Sequence, residues 1–398
     1  LVAVSARPRV AYVRGSYLNP FETQYLEPLQ DRFDITAVYP RSHRFDVRGL
    51  QMPRIELSCL DYLNGLVPRR IGGLAIPNPQ KSFGYDEHLF GLDKVLPGLD
   101  IVHAAEQTFY CSYQVARRKK RYGYKLICLQ AEVNPFWAEG HGRVLERSAF
   151  VRANTDLFIA RSQRARSALL AEGVEEARIR VIGHGIDTNR FAPGPRSPEL
   201  SRRFGIGSND LVILLVGRMV WEKGLFSLAD AAGLLMRDES FRKLKPVFVY
   251  AGDGPERGPL ERRLRRLGIE SSFRLIGSQP YSRLPDIHRL ADIFVLPSIS
   301  TRTVQEQFGI ALIEAMATAR PVLTTHCGAI DEVIGDAGLV VQPNDYYRLA
   351  EGLRTLAFDP ELRARLAQRG FERVQRLFTR ELIGEQVADA YRHVLGMK

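Results

Sequence analysis

The chain has 398 residues, more than one hydrophobic core usually organises, which predicts two domains of roughly 150–200 residues each. Hydrophobic residues make up 45% and charged residues 25%, with no low-complexity tract, so a largely disordered chain is excluded and a soluble globular protein is expected. The formal net charge of +11 points to an anionic partner, which nucleic acid, a membrane surface or a phosphorylated small molecule would each satisfy.

Cys59, Cys111, Cys128 and Cys327 lie far apart with no Cys-x-x-Cys pair. That argues against zinc and against a disulfide framework, and suits reduced thiols in a cytoplasmic protein. No apolar run approaches the roughly 20 residues that a membrane-spanning helix needs, and the first ten residues lack the apolar stretch of a secretory signal. Membrane contact is therefore expected to be peripheral at most.

The apolar run Arg9–Val13 predicts a first strand, followed by a loop containing Gly15 and a helix over residues 21–29. Further strands are expected at 35–39, 100–103, 125–129 and Leu157–Ala160, with helices over 108–121 and 142–152 between them. Alternating strand and helix predicts a parallel sheet covered by helices. Residues 181–198 are rich in Gly and Pro and read as a connector. Beyond it the alternation restarts with strands at 211–216, Val247–Ala251, 273–276, Ile293–Leu296, 322–324 and 339–341. Helices are expected at 225–236, 259–267, 282–290 and 309–318, and more fill the C-terminus. The pattern predicts an α/β protein of two doubly wound, Rossmann-like domains, 1–190 and 191–377, with ligands bound beyond the carboxyl ends of the strands in a cleft between them.

Strand 211–216 runs into Gly217-Arg218-Met219-Val220-Trp221-Glu222-Lys223-Gly224. Two cations five residues apart, just ahead of a helix, suit a diphosphate held on backbone amides; the alternative is a surface turn with two solvated cations. Gly252-Asp253-Gly254-Pro255 lets the backbone approach a ligand or simply turn sharply, and it lacks the order of a dinucleotide fingerprint. After Leu296-Pro297-Ser298 comes Glu306, then Phe308-Gly309-Ile310 opening a helix that carries Glu314. A phosphate at that helix start, with carboxylates on either side accepting from sugar hydroxyls, is one reading: Glu306 suits a hexose and Glu314 a ribose. In the other, Glu306 caps the helix and Glu314 sits on its solvated face.

In this order and at these intervals, Gly-Arg-x4-Lys-Gly, Gly-Asp-Gly-Pro, Leu-Pro-Ser and Glu-x7-Glu resemble the retaining nucleotide-sugar glycosyltransferases of family 4, which have the GT-B fold. The connector Gly183-His184-Gly185-Ile186-Asp187, followed by Phe191, is similar to the hinge segment of that family. The resemblance is strong over about residues 180–345 and only architectural before them. It implies that Arg218 and Lys223 bind the donor diphosphate, that Glu306 contacts the donor sugar as the catalytic carboxylate, and that Glu314 holds the ribose. It also implies that Gly252 and the backbone of Phe308, Gly309 and Ile310 face the donor, and that a last helix at about 378–398 packs back on the first domain. Thr318-Ala319-Arg320 stands where Cys-Gly-Lys is frequent, and His184 replaces the usual Asn.

The first half departs further. Its first loop has one glycine, Gly15, where the family is often Gly-rich, which weakens Gly15 as a diphosphate contact. Where many relatives present a His after the strand at 125–129, this chain has Gln130-Ala131-Glu132-Val133-Asn134. Glu132 is the expected acceptor-side catalytic residue, with Glu106 and Asn134 beside it as acceptor contacts. The alternative makes Glu106 and Glu132 surface loop carboxylates.

The resemblance further implies transfer of a hexose-type sugar with retention, from a UDP-sugar first and a GDP-sugar second, to a hydroxyl acceptor that is lipid-linked, polysaccharide or small. No cofactor or metal is expected, because no Asp-x-Asp ends a strand and Arg218, Lys223 and helix amides can stabilise the leaving diphosphate. Base recognition is expected near residues 276–281. Arg117-Arg118-Lys119-Lys120-Arg121 follows a helix and reads as a solvated helix end, a patch for anionic lipid at the cytoplasmic membrane face, or a nucleic-acid contact, the last unsupported by any recognised module. Competing readings of the whole chain are a sugar-nucleotide epimerase, a phosphorylase, and a non-catalytic basic nucleotide- or nucleic-acid-binding protein.

Overall fold

Runs of β-branched and aliphatic residues, each too short for a buried helix and each followed by a helix-length segment, assemble into two separate parallel sheets. The computed structural model describes residues 7–59, 70–71, 74–75, 88–137, 141–301 and 304–397. Residues 1–6, on which part of the expectation about a secretory signal rests, lie outside that set. By internal contacts the chain divides into two units, Leu1–Gly185 with Arg380–Lys398, and Ile186–Thr379.

In the first unit the strands are β1 (Arg9–Val13), β2 (Asp34–Pro40), β3 (Arg54–Leu57), a small antiparallel pair β4 (Arg70–Ile71) and β5 (Leu74–Ala75), then β6 (Ile101–Ala104), β7 (Lys125–Gln130), β8 (Leu157–Ala160) and β9 (Ile179–Val181). The main sheet is parallel throughout, in the order β3-β2-β1-β6-β7-β8-β9. Strand order therefore reverses direction between β1 and β6, where the crossovers leave on opposite faces and open a crevice at the carboxyl ends. The helix Arg380–Leu395 belongs to this unit and buries Ile383, Val387, Ala388 and Tyr391 in the same core as Tyr25, Leu29 and Phe33.

The second unit contains β10 (Val212–Val216), β11 (Val247–Ala251), β12 (Phe273–Gly277), β13 (Ile293–Leu296), β14 (Val322–Thr325) and β15 (Gly338–Val341), in the parallel order β12-β11-β10-β13-β14-β15. The period-2 alternation of a strand divides its side chains between two cores. Val212, Leu214 and Val216 pack on one face with Leu312 and Met316; Ile213 and Leu215 pack on the other with Leu228 and Leu353. Both faces are covered, so these strands read as continuous apolar runs. The switch point of this sheet falls between β10 and β13.

Two departures have local causes. The helix expected at 21–29 forms one α turn, Pro20–Thr23, capped by the Asn19 side chain accepting from the Glu22 amide at 2.7 Å, and then tightens into the 3-10 segment Gln24–Leu29. Pro28 within that segment has no N–H to donate. The edge strands β3 and β9 carry no apolar run, because neither buries a full face, and periodicity alone does not reveal them.

Candidate functional site

In the second unit, the loops that leave the switch-point strands β10 and β13 bring two sequence-distant residues together. After β10, Gly217 is followed by the exposed Arg218 and a 3-10 turn, Trp221–Lys223, which leads into the helix Leu225–Leu235. The Arg218 carbonyl accepts from the Tyr250 hydroxyl at 3.1 Å and the Met219 amide donates to the Asp253 carbonyl at 2.9 Å, so β11 and its loop hold this turn in place. Lys223 Nζ reaches across to Glu306 Oε2 at 2.6 Å, and the Ser298 hydroxyl donates to the same oxygen at 3.0 Å.

Glu306 is thus an ionised carboxylate built into the loop after β13. Burial alone would raise its carboxyl, but the charge and hydrogen bond of Lys223, the bond from Ser298 and the nearby charge of Arg218 outweigh it and hold it below the usual carboxylate range. Its own carbonyl accepts from the Ala329 amide at 2.9 Å. Glu306 does not cap the following helix. Gly309 is the N-cap of Ile310–Ala317, with φ +82° and no side-chain cap, so the first-turn amides are not covered by a capping side chain. The Phe308 ring is buried edge-to-face against Phe378.

The alternative that places Glu314 on a solvated helix face is also overturned. Glu314 is 3% exposed and its Oε2 lies 3.2 Å from His288 Nε2, a fully buried histidine of the helix Leu284–Arg289. Sequence reasoning missed His288 because an isolated histidine in a short helix carries no local signal. Ser298 was quoted as part of Leu-Pro-Ser, yet its bond to Glu306 spans a loop and could not be read. Gly252, with φ +152°, has a packing reason of its own: a Cβ there would overlap the Gly217 carbonyl oxygen, so this glycine lets the β10 and β11 loops touch. The stretch proposed for base recognition, 276–281, takes in the end of β12 and the loop after it, where Tyr281 packs on Phe191.

In the first unit the switch-point loops are Arg14-Gly15 after β1 and Ala105-Glu106 after β6. Gly15, at φ +64°, opens a 3-10 turn and is buried. Beside it Arg14, which sequence reasoning did not single out, is 6% exposed and donates from Nε and Nη2 to Glu22 Oε2 at 3.0 and 2.7 Å. Glu106 is no surface carboxylate. It is 7% exposed, its Oε1 accepts from the Ala131 amide at 2.8 Å, and burial, opposed by the charge of Arg14, pushes its carboxyl up to about 7. Glu132 turns inward on its own loop, with Oε1 accepting from the Val133 and Asn134 amides at 3.0 and 2.9 Å.

The basic run does not follow a helix but forms the last turns of Tyr110–Tyr122. Arg118 forks onto Asp93 at 3.0 and 2.9 Å and Lys119 pairs with Asp156 at 2.8 Å, which leaves Arg117, Lys120 and Arg121 as its exposed members. All four cysteines are buried free thiols. Among the described residues no helix is long and apolar enough to cross a membrane.

Two Rossmann-like units, each with charged loops at its switch point, define the GT-B class of fold. Solved structures agree: an Anabaena protein, Alr3699/HepE, in complex with UDP superposes with a TM-score of 0.76 at 19% identity, covering 97% of this chain and 100% of that one. The sucrose-phosphate synthase of Thermosynechococcus elongatus gives 0.75 at 18% identity, covering 98% and 100%. The chain belongs to glycosyltransferase family 4. The model "Glycosyltransferase Family 4" matches residues 32–190 and "Glycosyl transferases group 1" matches 197–373. Similar relatives are the alpha-D-kanosaminyltransferase of Streptomyces kanamyceticus, 31% identical over 65% of this chain, and a D-inositol 3-phosphate glycosyltransferase of Corynebacterium glutamicum, 29% identical over 60%. The chain spans 63% and 57% of the length of these two relatives.

Proposed function

We propose that the protein is a retaining glycosyltransferase that moves a hexose-type sugar from a nucleotide-sugar donor to a hydroxyl acceptor without a metal. The observation that carries this reading is the Lys223–Glu306 pair, which keeps a carboxylate ionised beside exposed Arg218 and a helix start free of a side-chain cap. The family membership and the UDP complex of the Anabaena neighbour support a sugar nucleotide, with UDP favoured over GDP.

In this proposal Arg218 and the amides at Gly309 and Ile310 meet the diphosphate, and Glu306 accepts from hydroxyls of the donor sugar. Lys223 holds Glu306 in place and adds positive charge. Glu314, positioned by His288, serves the ribose. As the glycosidic bond breaks, positive charge grows on the sugar and negative charge on the leaving diphosphate; fixed cations and amides aimed at the latter lower the barrier. The acceptor attacks from the leaving-group side, and a donor phosphate oxygen takes its proton. Glu106, Glu132 and Asn134 belong to the acceptor side, and peripheral contact with an anionic membrane face would use Arg117, Lys120 and Arg121.

The test is a thermal-shift and transfer screen with UDP-, GDP- and ADP-sugars. A ligand at 100 times its dissociation constant stabilises by about 2.7 kcal/mol, a shift that such a screen resolves. Stabilisation by one sugar nucleotide together with its turnover supports the proposal. Interconversion of the donor sugar without transfer would favour an epimerase. Salt-sensitive nucleic-acid binding with no sugar-nucleotide affinity would favour a non-catalytic basic protein.

A further inference from the structure

The loop after β7 combines three features that a plain connector does not need. It is fastened by three carboxylates: Glu106 Oε1 accepts from the Ala131 amide at 2.8 Å, Glu132 Oε1 from the Val133 and Asn134 amides, and Glu172 Oε1 from the Phe136 amide at 2.9 Å. Glu172 is itself held by Arg152 and by the Gln107 side chain. The loop is therefore rigid up to Phe136, and what it presents there is costly.

Phe136 has φ +54°, a left-handed backbone that disfavours a bulky L-residue, and its side chain is not buried in compensation. The residue is 47% exposed, as is Trp137 beside it. Strain of this kind costs about 1–3 kcal/mol and persists only where surrounding bonds over-determine it. A folding role would call for Gly or Asn in that conformation and for a buried ring. Here two adjacent aromatics are instead half exposed on a strained, fixed loop.

Polar atoms at the same strand ends lack partners. Among the described residues Arg14 Nη1, Glu106 Oε2, Gln130 Oε1 and Asn134 Nδ2 are buried with no hydrogen bond. Arg14, Glu106 and Gln130 are each more than nine-tenths buried, so these vacant donors and acceptors are expensive unless something else completes them. They include both donors and acceptors, which matches hydroxyl groups, each of which can give and accept. The charged groups around the loop and its strand ends include Glu22, Glu106, Glu132 and Glu172 against Arg14, Arg152 and Arg161; Arg14 and Arg152 pair with Glu22 and Glu172, while the buried Arg161 donates to the Gly183 carbonyl and the Tyr25 hydroxyl.

We propose that the loop 131–137 is an acceptor subsite for a neutral pyranose ring, whose apolar face stacks on Phe136 and Trp137 while its hydroxyls address Asn134 and the strand-end polar groups. This deepens the proposed function by naming the acceptor class, and it rests on that reading for the word acceptor. Aromatic faces suit sugars because a pyranose offers a flat apolar C–H surface rimmed by hydroxyls, and rigid aromatics bury area at little entropic cost.

The chain has two tryptophans, Trp137 and Trp221, so Trp221→Phe leaves Trp137 as the sole indole reporter. That protein is titrated with methyl glucoside, galactoside and mannoside, and with glucose 6-phosphate and inositol 1-phosphate. A saturable change in Trp137 emission with at least one neutral glycoside, and none with the phosphates, is expected. Phe136→Gly relieves the left-handed backbone and so keeps or raises stability, yet is expected to weaken glycoside binding at least tenfold. Tighter binding of the phosphates, no binding of any glycoside, or unchanged affinity in both Phe136→Gly and Asn134→Ala overturns the proposal. Hydrolysis of the sugar nucleotide, measured on the same variants, separates the two readings. If the unaltered protein consumes no donor, the transferase proposal fails while the titration still judges the platform; if donor hydrolysis is normal and the titration negative, only the platform fails.

Discussion

Lys223 Nζ lies 2.6 Å from Glu306 Oε2, and the two residues are 83 positions apart on loops that leave neighbouring strands of one sheet. Both are largely buried, with side chains 20% and 12% exposed, and their charges depend on each other. Glu306→Ala is expected to lower transfer by about a hundred- to a thousandfold, the scale seen when a directed transition-state contact is removed. Wild-type turnover by the purified variant would sink the assignment.

Lys223→Ala should behave differently. It leaves Glu306 with Ser298 as its remaining side-chain partner, so its carboxyl rises, and it is expected to raise the donor KM more than it lowers kcat. Breaking a buried pair by removing one partner costs about 3–5 kcal/mol, and the partial exposure here reduces that to about 1–3 kcal/mol. Urea unfolding and steady-state kinetics on one preparation check both parts.

Glu314→Gln keeps a hydrogen-bonding group against His288 while removing the charge. The fold is expected to survive with a loss of about 1 kcal/mol, and UDP binding to weaken about tenfold. An unchanged nucleotide affinity would make the pair purely structural.

Glu106 gives a pH dependence with a definite sign. Its folded carboxyl sits near 7 against an ordinary 4.5. Between those values the unfolded chain has released its proton while the folded chain keeps it, so stability is greatest below 4.5, declines as pH rises and levels off above 7. The full span corresponds to about 3 kcal/mol at most. Glu106→Gln should flatten this part of the profile, and urea midpoints at pH 5 and pH 8 in both proteins test it; an equal drop in both would refute it.

Gly252→Ala combines a backbone angle poorly suited to alanine with overlap on the Gly217 carbonyl. It should destabilise by more than 1 kcal/mol, read as a lowered urea midpoint, because the neighbour in the way is main chain.

Much was legible in the sequence for a physical reason. Strands such as Val212–Val216 and Ile293–Leu296 are covered on both faces, so every residue is apolar and the run announces itself. The motifs of the second unit are equally visible, because Gly217-Arg218 and Glu306 through Glu314 each lie within one short segment. Tertiary structure decided what joins segments: that Lys223 meets Glu306, that Glu314 turns inward to His288, and that Glu106 is buried behind Ala131. It also decided that Arg118 and Lys119 are structural cations and that Phe136 is held out on a strained backbone. Hydrophobic periodicity is written locally along the chain, whereas a charge pair or a vacant hydrogen bond depends on which strand ends the sheet order places side by side.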